Sequence, residues 1–346
     1  MPSTSESPIQ ATDAALRWGV LSTAAIGRKV IPGLQGARRC EVTAIASRDG
    51  GRARAAADTY GIPFAHDSYE ALLADPDVDA VYIPLPNHLH ADWTIRAAEA
   101  GKHVLCEKPL ATTSADAERM VDACQRAGVV LMEAFMYRHH PTWVAASELV
   151  RSGRIGRLLA IQSWFGFYND DPENIRNKLD TGGGALYDIG CYCVNLSRML
   201  FGGEPTRVHG AVRRDPGNGT DILTAGILEF DSGLAGFMCS TRAEDDQRVD
   251  IYGTGGRISI EIPFNIPPDR PTRVSLAAGG DPPVAPDIEV MAFEPFDPYT
   301  AEAEAFAATV LDGAAPSVPP TDAVSNLRVM EAIFAAAEGE RPSPNS

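Results

Sequence analysis

The 346-residue chain lacks the features that would place it at a membrane or on nucleic acid. It has no stretch close to the roughly 20 consecutive apolar residues that a membrane-spanning helix needs. It also has no basic excess, because 30 Lys and Arg stand against 46 Asp and Glu, which gives a formal charge of -16. That charge would repel phosphate backbones and anionic lipid, so neither nucleic acid nor a membrane is predicted as a partner.

Cysteine patterns typical of metal sites and disulfide frameworks are missing as well. The six cysteines form no CxxC pair and have no spacing suited to zinc, and His88 and His90 have no carboxylate or cysteine placed to complete a site. We therefore predict a reduced, cytoplasmic protein without a metal. Residues 1–15 lack a basic segment followed by an apolar one, so they are predicted to be a flexible tail rather than a signal sequence.

The chain is long enough for two domains. From residue 16 to about residue 138, short apolar runs alternate with helical segments, which is typical of βαβ units and a parallel sheet. One helix is predicted to begin with Ser114 as its cap and to end at Gly128. The pattern predicts an α/β fold that starts with a doubly wound, Rossmann-type domain over 16–138. Its strands are predicted over 17–21, 40–47, 80–84, 103–107 and 129–133.

After about residue 139 the apolar runs follow one another with tight turns and little helix between them. Two such runs joined by Asp231-Ser232-Gly233 predict a hairpin. The pattern favours an α+β domain over 139–346 with an open, mostly antiparallel sheet, and the proline-rich stretch 266–286 is predicted to be a loop. Strands are predicted over 158–167, 206–213, 222–230, 234–240, 248–252 and 257–262. Helices are predicted over 141–152, 185–200, 299–311 and 321–337.

The first predicted strand leads into a turn of small residues between Gly19 and Gly27. Such a turn could let backbone amides approach a pyrophosphate at a helix N-terminus, although it is not a strict GxGxxG. The alternative is a tight strand-to-helix turn without a ligand. The predicted cofactor contacts in this turn are Ser22, Thr23, Ala24, Ala25 and Ile26.

The end of the second predicted strand bears on which dinucleotide is bound. Ser47 lies 20 residues beyond Gly27, about where the residue that reads the adenosine ribose should fall. A hydroxyl followed by Arg48 suits the 2′-phosphate of NADP, and Arg52 could add a second contact one turn later. These arginines could instead be solvated surface charges, and Asp49 keeps NAD possible.

A proline-containing loop, residues 84–90, follows the third predicted strand at the edge where open parallel sheets hold their ligands. Pro84 and Leu85 are predicted to line the cofactor site, and Asn87 and His90 could hydrogen-bond the nicotinamide ribose. The alternative treats Asn87 as a helix cap and the histidines as satisfied surface groups. The next strand ends in Glu107-Lys108-Pro109; a residue before proline is kept out of helical geometry, so Lys108 could point into the same crevice.

These segments, taken in order, resemble the Gfo/Idh/MocA family of NAD(P)-dependent oxidoreductases. Segments 22–24, 133–141 and 182–192 are most similar to the branch that holds glucose-fructose oxidoreductase, NADP-dependent D-xylose 1-dehydrogenase and dimeric dihydrodiol dehydrogenase. The resemblance implies that Lys108 lies beside the nicotinamide and the substrate oxygen, with Glu107 supporting its placement. It also implies that Tyr192 is catalytic.

Tyr192 and Asp188 extend this catalytic hypothesis. A phenol has a pKa near 10 in water, and we expect the ammonium of Lys108 to lower the pKa of Tyr192 so that it can take a hydroxyl proton. Asp188 lies four residues earlier, so both side chains would share one helix face, where the carboxylate could orient the substrate or the tyrosine. Tyr192 could instead be a core residue, and Asp188 could be a first-turn acid that favours the helix N-terminus.

The expected reaction is NADP-dependent oxidation of an aldopyranose, of the D-xylose or D-glucose type, at C1 to the lactone. Reduction of a keto sugar, including a nucleotide-linked 3-keto sugar, and oxidation of a trans-dihydrodiol are the enzymatic alternatives; an NADP-binding sensor or scaffold is the non-enzymatic one. The resemblance also implies a homodimer or homotetramer formed through the exposed face of the second sheet. Residues expected to bind the sugar are Arg138, Trp164, Phe165, Tyr168, Asn174, Arg176, Asp188 and Tyr192.

Overall fold

The computed structural model describes residues 14–278 and 287–339, which form two sheets with helices packed on them. The first part of the chain alternates strand and helix. Its strands are β1 (Leu16–Leu21), β2 (Cys40–Ala46), β3 (Phe64–His66), β4 (Ala80–Ile83), β5 (His103–Glu107) and β6 (Leu131–Ala134). Its helices are α1 (Gly27–Gly36), α2 (Gly50–Tyr60), α3 (Tyr69–Leu73), α4 (His90–Glu99) and α5 (Ser114–Ala127).

All neighbouring strands of the first sheet are parallel, in the order β3-β2-β1-β4-β5-β6, so the predicted doubly wound sheet is confirmed. The three-residue strand β3 is too short to give a sequence pattern and was not predicted. The cap of α5 is also corrected: the side chain of Thr113 accepts a hydrogen bond from the amide of Asp116. Ser114 instead donates from its amide and its hydroxyl to Glu331, at 2.7 Å each.

The second sheet has eight strands in the order β14-β13-β12-β11-β7-β10-β9-β8, and β7 and β10 form its one parallel pair. The predicted open, mostly antiparallel sheet is confirmed. Its strands are β7 (Leu158–Tyr168), β8 (Arg207–Arg214), β9 (Asp221–Phe230), β10 (Gly233–Ser240), β11 (Arg242–Gly253), β12 (Gly256–Ile260), β13 (Thr272–Ala278) and β14 (Ile288–Phe293). The helices of this part are α6 (Pro141–Arg151), α7 (Cys191–Phe201), α8 (Pro298–Asp312) and α9 (Pro320–Gly339).

Two predictions in this part are wrong. The stretch predicted as a loop over 266–286 contains β13, in which buried Val274 and Leu276 alternate with outward side chains; residues 279–286 lie outside the described part. The helix predicted over 185–200 begins instead with a π-helical turn, Leu186–Gly190, before α7.

The last two helices pack back against the first sheet and its helices. Helix α8 packs on α1, and the ring of Phe306 lies 4.9 Å from that of Trp18 on β1, centroid to centroid. Helix α9 packs on α5. These contacts set the second sheet beyond the carboxyl ends of the first, with a cleft between them. Within the described ranges, no helix combines the length and the apolar character that crossing a bilayer requires.

Candidate active site

The cleft is a chain of cavities that begins at the carboxyl ends of β1, β2 and β4. The distal cavity, of ≈ 710 Å³, is lined by Arg48 and the first βα turn. The central cavity, of ≈ 490 Å³, shares Ala24 and Leu85 with it and reaches Lys108. The catalytic cavity, of ≈ 270 Å³, shares Lys108 with the central one and ends at Tyr192. The four predicted regions of the cofactor site therefore form one continuous trough.

The βα turn fits a dinucleotide although it lacks the usual glycines. Ser22 has φ 141°, a backbone conformation that favours glycine, and its hydroxyl accepts a hydrogen bond from the amide of Ala24 at 2.9 Å. Ala24, Ala25 and Ile26 line the central cavity, and the two alanines offer backbone with no side chain beyond Cβ. Ser22 and Thr23 line the distal cavity. The small side chains leave room for a pyrophosphate to approach the start of α1.

The far end of the distal cavity carries the residues predicted to read the adenosine ribose. Ser47, Arg48 and Arg52 all line it. The carboxylate of Asp49 caps α2 by accepting hydrogen bonds from the amides of Gly51 at 2.8 Å and Arg52 at 3.2 Å. Because one carboxylate oxygen is already engaged by the helix, Asp49 is less free to bind a ribose hydroxyl than an uncapped acid would be, and the two guanidinium groups dominate this end.

The 84–90 loop contributes three of the four residues predicted from it. Pro84 and Leu85 line the distal and central cavities, and Asn87 lines the central cavity while donating to the carbonyl of Gly182 at 2.8 Å. His90 is corrected: it is fully buried, and its two ring nitrogens lie 2.9 Å from the carbonyl oxygen of Pro109 and 2.7 Å from that of Leu85. The ring ties the loop to the end of β5 and does not reach a ribose.

Lys108 and Asp188 form the charged centre of the catalytic cavity. The ammonium donates to the carbonyl oxygen of Asp188 at 2.7 Å and to its carboxylate at 3.2 Å, and Arg176 donates to the other carboxylate oxygen at 2.7 Å. Burial is the largest single influence and would lower the pKa of Lys108, but the negative groups around it, Asp188 first and then Cys191 and Glu107, together raise that pKa above its ordinary value. Burial would likewise raise the pKa of Asp188, whereas Lys108 and Arg176 together hold it below its usual range. The site therefore keeps an ammonium and a carboxylate at neutral pH.

Glu107 supports Lys108 from beneath the cavity. Its carboxylate accepts hydrogen bonds from the hydroxyl of Tyr82 at 2.6 Å and from the backbone amide of Lys108 at 3.2 Å. Burial raises the pKa of Glu107 above its ordinary value. These two bonds fix the backbone from which the Lys108 side chain projects.

Tyr192 lines the same cavity as Lys108, with its ring centroid 5.2 Å from the ammonium nitrogen. Phe135 and Phe165 pack edge-on against this ring, and its hydroxyl lies 3.7 Å from the sulfur of Met136. The expected lowering of its pKa is wrong for this environment. Burial, followed by the negative charge of Glu107, raises the pKa of Tyr192 well above 10, so the phenol keeps its proton at neutral pH.

Three of the residues predicted to bind the sugar, beyond Asp188 and Tyr192, lie in the cleft. Phe165 lines the catalytic cavity, Arg176 lines the catalytic and central cavities, and Asn174 lines the central cavity and caps a short 3-10 turn. Gly182 and Gly183, from the glycine run, also line the central cavity.

Three others do not. Side chains alternate along β7, so Trp164 and Tyr168 lie on the face opposite Phe165, and Tyr168 is 60% exposed. Arg138 pairs with Asp322 of α9 at 3.1 Å and lines none of these cavities. These predictions are therefore corrected.

The catalytic cavity also contains residues that were not predicted. Phe167 lies two residues beyond Phe165 on the same strand face, and the two-residue spacing would have been enough to find it. Met136 comes from a 3-10 turn, Met136–His139, Asn265 from a loop and Tyr299 from α8. Tyr299 stands more than 100 residues from Tyr192 in the sequence and carries no local signal. In the described part of the chain, no group of three or more potential ligands could hold a metal.

A Rossmann sheet, a trough for a dinucleotide and a lysine-tyrosine pair at its end define a nicotinamide-dependent oxidoreductase. The chain belongs to the Gfo/Idh/MocA oxidoreductase family. The family's NAD-binding Rossmann domain matches residues 16–135, and its C-terminal domain matches residues 143–259. The resemblance drawn from the sequence is thereby confirmed, and the sensor and scaffold alternatives give way to an enzyme.

Several characterised proteins are similar to this chain over nearly its whole length. D-xylose 1-dehydrogenase (NADP(+)) 2 of Haloferax volcanii is 43% identical, over 93% of this chain and 98% of its own. An aldose-aldose oxidoreductase from Caulobacter crescentus, solved with glycerol, has a TM-score of 0.87 and 30% identity, over 94% and 98% of the two chains. A 3-ketoreductase from Actinomadura kijaniata, solved with NADP and TDP-benzene, has a TM-score of 0.85 and 30% identity, over 93% and 98%.

Proposed function

We propose that this enzyme oxidises an aldopyranose, of the D-xylose or D-glucose type, at C1 to the lactone, with NADP as cofactor. The observation that carries the proposal is that the ammonium of Lys108, the carboxylate of Asp188 and the phenol of Tyr192 line one cavity at the end of the trough. The 43% identity to a D-xylose 1-dehydrogenase supports the substrate class. Arg48 and Arg52 at the far end of the trough support NADP over NAD, because guanidinium groups bind phosphate in a bidentate manner.

The protein's contribution is to place and charge the groups around the sugar oxygen. When bound, the nicotinamide ring accepts the hydride that leaves C1. Lys108, anchored by Asp188, donates a hydrogen bond to the C1 oxygen and stabilises the negative charge that grows there. Tyr192, as phenolate, takes the hydroxyl proton during oxidation and, as phenol, returns it during reduction. Phe165 and Phe167 offer aromatic faces to the sugar ring.

A second reaction, reduction of a keto sugar, is favoured by the protonation state of the cavity. Because burial holds the proton on Tyr192 and Asp188 holds the proton on Lys108, both groups are set to donate at neutral pH. A phenol in this state protonates a carbonyl oxygen without a prior deprotonation step. The 30% identity to a 3-ketoreductase supports this alternative.

Initial rates across pentoses, hexoses and keto sugars test both reactions. We expect oxidation of D-xylose or D-glucose with NADP at a higher kcat/KM than with NAD. Since oxidation needs the phenolate and the pKa of Tyr192 is raised, the oxidation rate should climb steadily from pH 7 to pH 10, whereas the reduction rate, which needs the phenol, should stay nearly constant over the same range. Absence of turnover with every sugar, in both directions and with both cofactors, would refute the proposal.

We also propose that the chain forms a homodimer or homotetramer through the outer face of the second sheet. Leu234 and Met238 on β10 and Ile227 on β9 are about half exposed there, and large exposed apolar patches on soluble proteins often mark interfaces. Light scattering should give the mass of two or four chains, and Ile227→Lys with Met238→Lys should shift it to one. A wild-type mass of one chain would contradict the proposal.

A further inference from the structure

The substrate side of the cleft carries acidic residues on both routes that lead away from the catalytic cavity. One route is an outer cavity of ≈ 410 Å³, which shares Phe165, Phe167 and Asn265 with the catalytic cavity. The other is the part of the central cavity formed by the 171–176 segment. A sugar with its reacting carbon at Lys108 can extend its other end along either route; Lys29 also lines the catalytic cavity but neither of the two routes.

The outer cavity combines an aromatic floor with a negatively charged wall. Phe165 and Phe167 form the floor, and Asp245, Asp246 and Glu261, all exposed, stand around it. Arg270 also lines this cavity, and its guanidinium pairs with Asp269 at 3.3 Å. The carboxylates of the wall therefore outnumber its cation, which is itself paired.

The second route has the same sign of charge. Asp171 and Glu173 line the central cavity beside Arg176, whose guanidinium is bound to Asp188 at 2.7 Å. Lys178 neutralises part of this charge by pairing with Glu173 at 3.0 Å. Arg48 contributes positive charge at the other end of the trough. That end is predicted to hold the cofactor, so Arg48 is not expected to contact the sugar.

We propose that the three carboxylates of the outer cavity determine specificity: this cavity takes the far end of an uncharged sugar and disfavours a sugar that carries a phosphate or a nucleoside diphosphate. This inference rests on the proposed sugar oxidoreductase function and narrows it, because it favours a free aldose or free keto sugar over a nucleotide-linked one. Carboxylate and phosphate repel one another, whereas sugar hydroxyls donate hydrogen bonds to carboxylates and sugar rings pack on aromatic faces.

D-glucose and D-glucose 6-phosphate are a suitable substrate pair, since both react at C1 and differ in charge at the other end. At low ionic strength we expect kcat/KM for the phosphate ester to be about tenfold lower or more, the order of effect that like charges at a binding surface produce. The difference in kcat/KM between the two sugars should become smaller when the ionic strength is raised to about 0.15 M, because the Debye length then shortens to about 8 Å and the repulsion is screened. Steric exclusion would not depend on salt.

The specificity ratio is kcat/KM for glucose 6-phosphate divided by kcat/KM for glucose. This ratio should rise by about tenfold in the triple variant Asp245→Asn, Asp246→Asn, Glu261→Gln, which removes the three negative charges. A matched control, Glu99→Gln, Asp122→Asn, Asp231→Asn, changes the net charge equally at exposed residues that line none of the cavities, and should leave the ratio unchanged. Equal kcat/KM values for the two sugars at low salt in the wild type would overturn the inference, and so would a ratio in the triple variant that equals the wild-type ratio. Either result would leave the proposed sugar oxidoreductase function intact.

Calorimetric binding measurements on the complex of the enzyme with NADP distinguish failure of the proposed function from failure of this inference. If neither sugar is turned over but glucose binds and glucose 6-phosphate binds at least several-fold more weakly, the inference stands and the reaction is wrong. If the phosphate ester binds as tightly as glucose, or neither sugar binds, the inference is overturned as well.

Discussion

Replacing Lys108 with Ala is expected to reduce kcat by about 10²–10³-fold, the loss seen when a hydrogen-bond donor to a developing oxyanion is removed. The ammonium is held by two bonds to Asp188 within the catalytic cavity, where it would lie beside the reacting oxygen. Cofactor binding should be largely preserved, because the trough continues from Lys108 to Arg48 along the first βα turn. Steady-state kinetics and a fluorescence titration with NADPH measure the two effects.

Lys102→Met is the matched control for removing a partly buried ammonium. The ammonium of Lys102 donates to the carbonyl oxygens of Asp75 and Val78 at 2.7 Å each, and this residue lines none of the cavities of the cleft. The control should lower the melting temperature, since two carbonyls lose a partner at a cost of about 1–3 kcal/mol, while kcat/KM stays near the wild-type value. Near-normal turnover in the Lys108→Ala variant would remove this lysine from the mechanism.

The architecture was predictable from the sequence wherever burial imposes a regular pattern. Strands β4 and β5 are buried on both faces and appear as short continuous apolar runs, so their predicted bounds agree with the structure to within one residue. Strand β13 was missed because prolines on both sides outweighed its alternation. Strand β14 has four exposed residues among its six, so it shows no apolar face.

The site was predictable only where a residue's place follows from the strand that carries it. Lys108 was found in this way, because the end of a parallel strand is a local property. Phe165 was predicted together with Trp164 of the opposite face, so the sequence did not distinguish the two faces of β7. Arg138 and His90 were assigned wrongly since their partners, Asp322 and the carbonyl oxygen of Pro109, are brought near by tertiary packing. Tyr299 was missed for the same reason.

The direction of a pKa shift is harder to predict than the position of a residue. The sequence placed an ammonium near Tyr192, and the structure brings the two together. However, the aromatic side chains that surround the phenol remove it from water, and this effect outweighs the nearby cation. The balance between burial and charge depends on how many side chains enclose the hydroxyl, which local sequence does not determine.

Replacing Arg48 with Ala is expected to weaken NADP binding by about tenfold or more and to change NAD binding by less than about twofold. The arginine lines the distal cavity where the adenosine end of the dinucleotide would lie, and a charge-assisted hydrogen bond to phosphate contributes about 1.5–3 kcal/mol. NAD lacks the 2′-phosphate and has nothing there for the guanidinium to bind. Dissociation constants for NADPH and NADH, measured by fluorescence titration, give the comparison.

Arg54→Ala is the matched control, because Arg54 is an exposed arginine of α2, the helix that begins two residues after Arg48, and it does not line the distal cavity. It should leave both dissociation constants unchanged, so a loss confined to Arg48→Ala cannot come from the general charge of α2. Equal losses for NADPH and NADH in the Arg48→Ala variant would mean that the arginine binds a part common to both cofactors, such as the pyrophosphate. In that case the carboxylate of Asp49, which caps α2 with one oxygen, would again be a candidate for binding the ribose hydroxyls.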